Sequence, residues 1–159
     1  MLRELMVNEG HIAPAGYAAT SDCKTGMGVQ ISHSTGKFAF PSAESASNIF
    51  VVKKERYPSG VNAANTQFSD YDEDFNTVKA GEYAPLCNYY AGESFATDQY
   101  NSTTVKDANV GKYVAVGVDG KWTVAGSSTS SVYLLTEMVT DNGHVLARIT
   151  VQDAAGKNS

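Results

Sequence analysis

The sequence predicts an all-β protein, in which short antiparallel strands form a small barrel or sandwich and an extended N-terminal arm precedes them. Valine, threonine and tyrosine are common while leucine is scarce, a balance that favours strands over long helices. Seven or more short β-prone runs follow one another closely, as in small barrels and sandwiches. Two Asx-Gly pairs, at 119–120 and 142–143, are typical of tight hairpin turns.

Residues 1–45 are predicted to form the N-terminal arm and a first hairpin. In that hairpin, runs 29–31 and 37–40 alternate like strands around a turn at 34–36. The rest of the segment has few sustained strands and only scattered apolar side chains, so these side chains are expected to contact another chain. The candidate contact residues are Leu2, Leu5, Met6, Ile12, Tyr17 and Met27.

Residues 46–151 are predicted to form the β-barrel domain. The apolar run 49–52 indicates a buried strand, and the polar segment 53–76 is predicted to be a long loop able to contact a partner. The denser strands from residue 77 onward are expected to fold on their own. Residues 152–159 are predicted to be a flexible tail.

Two hairpins dominate the second half of the chain. The first spans 111–126, and its Trp122 is expected to pack in or beside the core, on the same face as Val124. The second joins the runs 131–139 and 145–151 through an Asn-Gly turn.

The charge distribution excludes several classes of partner. The net charge is −5 and the sequence contains no basic stripe, which argues against nucleic-acid binding. No apolar run is long enough to span a membrane. Charged residues near the N-terminus occupy the place of a signal peptide's apolar stretch, so the protein is expected to stay in the compartment where it is made.

Cys23 and Cys87 lie far apart and are predicted to be free thiols in a reducing cytoplasm.

No motif predicts catalysis, a cofactor or a metal. The acidic run 70–74 begins like a calcium loop, but Phe75 stands at the required glycine and Gly81 at the closing glutamate, so a solvated acidic loop is favoured. No nucleophile elbow is present. The three histidines are predicted to lie in turns or on the surface: His11, His33 and His144.

Four phrases of the sequence carry a family resemblance: 5–17, 24–29, 111–116 and 122–124. Together they resemble the small capsid decoration, or head-stabilising, proteins of tailed bacteriophages. The resemblance implies an extended N-terminal region beside a small β-barrel, and binding to the outside of an icosahedral capsid without catalysis or a cofactor. It marks no individual site residue.

The resemblance also implies partners and a location. The partner would be the major capsid protein, with homo-oligomers possible at symmetry or pseudo-symmetry axes. The protein would be made in the host bacterial cytoplasm and end on the virion surface. Because many copies bind one lattice, each contact can be weak.

Two alternatives remain open at this point. One is a structural component of a phage tail or baseplate. The other is a carbohydrate-binding β module, which would use exposed aromatic side chains, although such residues more often pack in strands and cores. The aromatic candidates are Tyr83, Tyr89, Tyr90, Tyr100, Tyr113, Trp122 and Tyr133.

Overall fold

The computed structural model describes residues 1–7, 12–13, 16–54 and 76–159. The protein is all-β, as the sequence predicts, and its curled sheets form a half-barrel. The described strands are β1 (Leu2–Met6), β2 (Ile12–Ala13), β3 (Ala18–Ala19), β4 (Cys23–Lys24), β5 (Gly28–Ser32), β6 (Lys37–Ala39), β7 (Phe50–Val52), β8 (Thr77–Val78), β9 (Leu86–Cys87), β10 (Ser94–Thr97), β11 (Val114–Val116), β12 (Trp122–Val124), β13 (Ser131–Asp141) and β14 (His144–Gly156). A short 3-10 helix, Asp107–Asn109, precedes β11.

The larger of the two predicted hairpins anchors a four-stranded antiparallel sheet, in the order β1-β10-β14-β13. Asn142 and Gly143 have φ angles of 47° and 82°, and Asp141 pairs with His144 across them. Positive φ at both central residues is the geometry of a two-residue hairpin turn, so the predicted Asn-Gly turn is confirmed.

A second sheet has six strands, in the order β2-β9-β7-β5-β6-β3. Its β5 and β6 are the predicted first hairpin, and the buried strand β7 matches the predicted apolar run. The pair β3–β6 is parallel, whereas the prediction contained only antiparallel strands. Separately, β4 pairs with β8.

The hairpin β11–β12 joins the two halves of the chain. Val116 pairs with Trp122 around a five-residue connection, in which Gly120 has a φ of 77°. Ser45 exchanges two backbone hydrogen bonds with Val116, at 3.0 and 2.8 Å. The predicted hairpin is therefore confirmed, and it is held by a residue from the first half. The predicted tight Asp-Gly turn is wrong, because Asp119 does not have a positive φ and the connection is longer than two residues.

Trp122 occupies the centre of the main core and is fully buried, as predicted. Its ring lies 5.4 Å from that of Phe95 and 5.0 Å from that of Tyr133, and its Nε1 donates a hydrogen bond to the Gly26 carbonyl at 3.1 Å. Because an aromatic N–H rarely stays unpaired in a core, this bond fixes the ring against the first half of the chain.

The chain does not divide at residue 45, so the predicted arm is corrected. β1 lies in the four-stranded sheet, while β3, β5 and β6 lie in the six-stranded sheet. The core around Trp122 includes Ile49 and Val51, which precede the strand-rich second half of the chain. The reason is physical: strand pairing with β10 satisfies the backbone of β1, which an isolated arm would leave to water.

The predicted flexible tail is also corrected. β14 continues to Gly156, and the Asn158 side chain makes three hydrogen bonds with the β11–β12 hairpin. Most of the predicted 53–76 loop, residues 55–75, lies outside the described residues. The acidic run 70–74 and His11 are also outside the described residues.

Candidate functional site

The six predicted contact residues do not form one patch. Leu2 is half-buried against the main core, and Met27 is 9% exposed in the second core cluster, where its Sδ accepts from the Lys24 backbone N–H at 3.2 Å. Tyr17 is half-buried, and its hydroxyl lies 3.0 Å from Nδ1 of His33. Ile12 belongs to β2, but its side chain is outside the described part. Leu2, Tyr17 and Met27 are thus committed to contacts within the chain.

Leu5 and Met6 are the two candidates that reach solvent, at 43% and 59% exposure. They are neighbours on β1, where a register irregularity between Glu4 and Met6 leaves Leu5 without a partner in β10. A bulge of this kind twists an edge strand and redirects its side chains. The structure therefore places two adjacent apolar side chains at the edge of a sheet.

β1 is held in place by a polar cluster around Glu4. One carboxylate oxygen, Oε2, lies 2.9 Å from Lys53 Nζ, while Oε1 accepts from the Tyr89 hydroxyl at 3.2 Å and faces the Cys87 thiol at 3.8 Å. Cys87 and Tyr89 are buried, whereas Glu4 and Lys53 are partly exposed. The cluster connects the four-stranded sheet to β7 and β9. No local sequence pattern around Glu4 predicts it.

The cluster does not provide a reactive thiolate. Burial, followed by the charge of Glu4, raises the pKa of the Cys87 thiol to about 11, so the thiol stays protonated at neutral pH. Burial likewise raises the pKa of Tyr89. The predicted free thiols are confirmed, since Cys23 and Cys87 are both unbridged and buried. Burial raises the pKa of Cys23 to about 12.

A second polar cluster surrounds Lys54, whose side chain is 8% exposed. Its ammonium lies 3.1 Å from a Glu82 carboxylate oxygen and donates to the Thr77 carbonyl. Lys79 and Asp22 form a second, exposed ion pair, with 3.0 Å between Lys79 Nζ and Asp22 Oδ2. The Lys54 contacts join the end of β7 to β8, and the Lys79–Asp22 pair joins the end of β8 to the start of β4. These charges are therefore paired within the fold.

The outward face of the four-stranded sheet carries a third polar group, Arg148. Its Nη1 donates to Glu137 at 3.3 Å, and its Nη2 reaches Ser94 Oγ at 3.4 Å and Met6 Sδ at 3.8 Å. Its Nε is buried and has no hydrogen-bond partner. Met6 therefore lies beside a guanidinium that is also paired with the Glu137 carboxylate.

Only some of the aromatic candidates for carbohydrate binding are exposed. Tyr83 and Tyr90 are 62% and 55% exposed, whereas Tyr89, Trp122 and Tyr133 are buried. His144 is exposed, as predicted for a turn. Among residues 1–7, 16–54 and 76–159, no group of three histidine, cysteine, aspartate or glutamate side chains is arranged to hold a metal. The described residues contain no helix of the length and apolarity needed to cross a membrane.

Comparison with known proteins gives no relative: no family model, curated protein or solved structure matches the chain.

Proposed function

We propose that this protein is a structural virion protein that binds the outer surface of a phage icosahedral capsid and stabilises the head. The observation that carries the proposal is the pair Leu5 and Met6, two adjacent apolar side chains exposed at the edge of an otherwise anchored sheet. Exposed apolar groups that cluster in this way favour contact with another protein. The sequence resemblance to decoration proteins supplies the identity of that protein, the major capsid protein.

The anchoring of β1 is compatible with a cementing role. A rigid edge presents its contact residues without the ordering cost that a flexible arm would incur on binding. A small patch is sufficient where many copies bind a repetitive lattice, because the loss of one contact is offset by its neighbours.

The test is binding to empty shells assembled from the major capsid protein encoded in the same genome. We expect the double variant Leu5→Ser/Met6→Ser to stay folded and to pellet less with shells than the unchanged protein. Val118→Ser is the matched control, because Val118 is 62% exposed and lies in the β11–β12 turn. Undiminished pelleting of the folded double variant would move the contact elsewhere, and no pelleting of the unchanged protein would reject capsid binding.

A carbohydrate-binding module is the second candidate, and the exposed rings of Tyr83 and Tyr90 favour it. Aromatic faces of this kind stack on sugars. Glycan-array binding that disappears in Tyr83→Ala or Tyr90→Ala would support it over the capsid proposal. A tail or baseplate role would instead appear as antibody labelling of the tail in electron micrographs of virions.

A further inference from the structure

The four methionines of the chain differ in their access to solvent. Met6 is 59% exposed, Met138 is half-buried against the main core, and Met1 and Met27 are buried. The two cysteines, which carry the remaining sulfur atoms, are buried as well. A water-soluble oxidant therefore reaches the Met6 sulfur more readily than any other sulfur in the protein, because susceptibility follows exposure.

A charged hydrogen-bond donor already points at the Met6 sulfur. Met6 lies on β1 and pairs with Ser94 on β10, while Arg148 lies on β14, on the other side of β10. The Arg148 side chain reaches across β10, where its Nη2 donates to Ser94 Oγ at 3.4 Å and to Met6 Sδ at 3.8 Å. The edge strand β1 is thus in contact with a side chain from two strands away.

The guanidinium of Arg148 has hydrogen-bonding capacity that its present partners leave unused. Its Nε is buried and has no hydrogen-bond partner, and the bond from Nη1 to the Glu137 carboxylate is 3.3 Å long. A thioether sulfur such as that of Met6 is only a weak acceptor. Because a buried donor without a good acceptor costs free energy, a stronger acceptor at the position of the sulfur would be favourable.

Oxidation of Met6 would supply such an acceptor. When hydrogen peroxide oxidises a thioether, a sulfur lone pair forms the new S–O bond, the O–O bond breaks, and the second oxygen leaves as water. The sulfur loses two electrons and the peroxide gains them. The sulfoxide oxygen lies one bond beyond the sulfur, and the methionine side chain is flexible enough to turn it toward Arg148 Nη2. A polar oxygen facing a guanidinium makes a charge-assisted hydrogen bond.

We propose that Met6 is an oxidation site, at which a peroxide forms a sulfoxide that Arg148 binds. Oxidation of a methionine usually disrupts the packing around it, because a polar group replaces an apolar one. Here the new hydrogen bond would join β1 to β14 across β10, so oxidation holds the edge strand more firmly. The inference rests on these contacts and does not depend on what binds the Leu5–Met6 patch.

The test is limited oxidation of the full chain with hydrogen peroxide, followed by mass spectrometry of its peptides. Met6 is expected to be oxidised first, Met138 more slowly, and Met1 and Met27 last. In urea, oxidation at Met6 should leave the unfolding midpoint unchanged or raise it, whereas in Arg148→Ala it should lower the midpoint. Oxidation of another methionine ahead of Met6, or a midpoint that falls equally with and without Arg148, would overturn the proposal.

Met6→Leu is the matched control, because leucine is apolar, similar in size and has no sulfur. The same peroxide dose should leave its midpoint unchanged, which separates Met6 from Met138. If Arg148→Ala does not fold, NMR of the Arg148 side-chain N–H groups decides. Their signals are expected to shift on oxidation of the unchanged protein and to stay in place in Met6→Leu. Signals that do not move, or that move equally in both proteins, would show that Arg148 does not bind the sulfoxide.

Discussion

Arg3 Nε donates to Asp141 Oδ2 at 2.8 Å, although the two residues lie on the opposite edge strands of the four-stranded sheet. Their side chains can meet only because the sheet curls, which brings β1 toward the tip of the β13–β14 hairpin. The same end of the sheet holds Met1, whose amino group pairs with Asp98 and whose side chain packs with Leu146. Curling and edge contacts of this kind account for the half-barrel shape.

The first prediction concerns that ion pair. Both side chains are substantially exposed, so the pair is expected to contribute at most about 1 kcal/mol to the free energy of unfolding. A double-mutant cycle with Arg3→Ala and Asp141→Ala in urea measures the coupling. It should shrink as salt is added, because exposed charges are screened. A coupling well above that limit, or one insensitive to salt, would show that the pair is more strongly coupled than its exposure implies.

The second prediction concerns Trp122. Trp122→Ala is expected to lower the free energy of unfolding by about 3–5 kcal/mol, because the change removes a fully buried ring and leaves a cavity among Phe95 and Tyr133. Urea denaturation measures the loss, with the exposed Val118→Ala as the control. The native emission of the single tryptophan should be blue-shifted. An emission maximum at the position of free tryptophan would contradict the burial.

The third prediction compares two glycines with similar backbone angles. Gly26 and Gly81 have φ angles of 94° and 84°. A Cβ at Gly26 would lie 2.2 Å from Thr97 Oγ1 and 2.7 Å from the Met1 carbonyl oxygen, whereas a Cβ at Gly81 meets nothing within 4 Å. Gly81→Ala should therefore cost only the left-handed strain, about 1–2 kcal/mol. Gly26→Ala should cost clearly more. Equal thermal melts for the two variants would argue against close packing at Gly26.

The fourth prediction concerns the end of the chain. Asn158 Oδ1 accepts from the Tyr113 N–H, and its Nδ2 donates to the carbonyls of Tyr113 and Ala125, each at 2.8 Å. Asn158→Ala leaves those backbone groups without the side chain and is expected to cost about 1–3 kcal/mol. Lys157→Ala, at an exposed neighbouring position, is the control. Indistinguishable unfolding midpoints would show that water replaces the amide without loss.

The fifth prediction concerns alkaline pH. The thiol pKa is raised from 9.0 to about 11 at Cys87 and to about 12 at Cys23, so the folded state holds protons that the unfolded state releases. This contribution is fully present below pH 9 and is lost as the pH rises through the folded-state values. Between pH 9 and 11, each thiol should lower the free energy of unfolding by up to about 1.4 kcal/mol per pH unit. Cys87→Ala should reduce that slope. If the free energy of unfolding of the variant falls with pH as steeply as that of the unchanged protein, Cys87 does not contribute to the alkaline loss of stability.

The sequence predicts the structure correctly where a feature depends on contacts between residues close in sequence. Asn142 and Gly143 specify a turn by their own backbone preferences, and the alternation of Trp122 with its neighbours indicates a buried face. Long-range pairings were not predictable in this way. Nothing near Glu4 indicates that it meets Lys53 and Tyr89, and the short run of β1 matches helical spacing as well as a strand.

The candidate site was predicted only in part, for the same reason. Leu5 and Met6, which are expected to contact a partner, are exposed, whereas Leu2 and Met27, assigned to a partner on the same grounds, pack within the chain. Apolar character alone does not distinguish these cases, because burial depends on which distant strand lies opposite. Asn158 was missed because its three partners lie more than thirty residues away in sequence.

The pairing of β1 with β10 sets the order in which the protein can fold. Leu2 pairs with Thr97, so forming this edge of the sheet closes a loop that spans residues 3–96. The β13–β14 hairpin, by contrast, closes through a two-residue turn and can form early. Closing the long loop between β1 and β10 costs chain entropy before any contact compensates it, which makes such topologies slow to fold. We therefore expect β1 to dock late, on an intermediate in which β10, β13 and β14 are already paired.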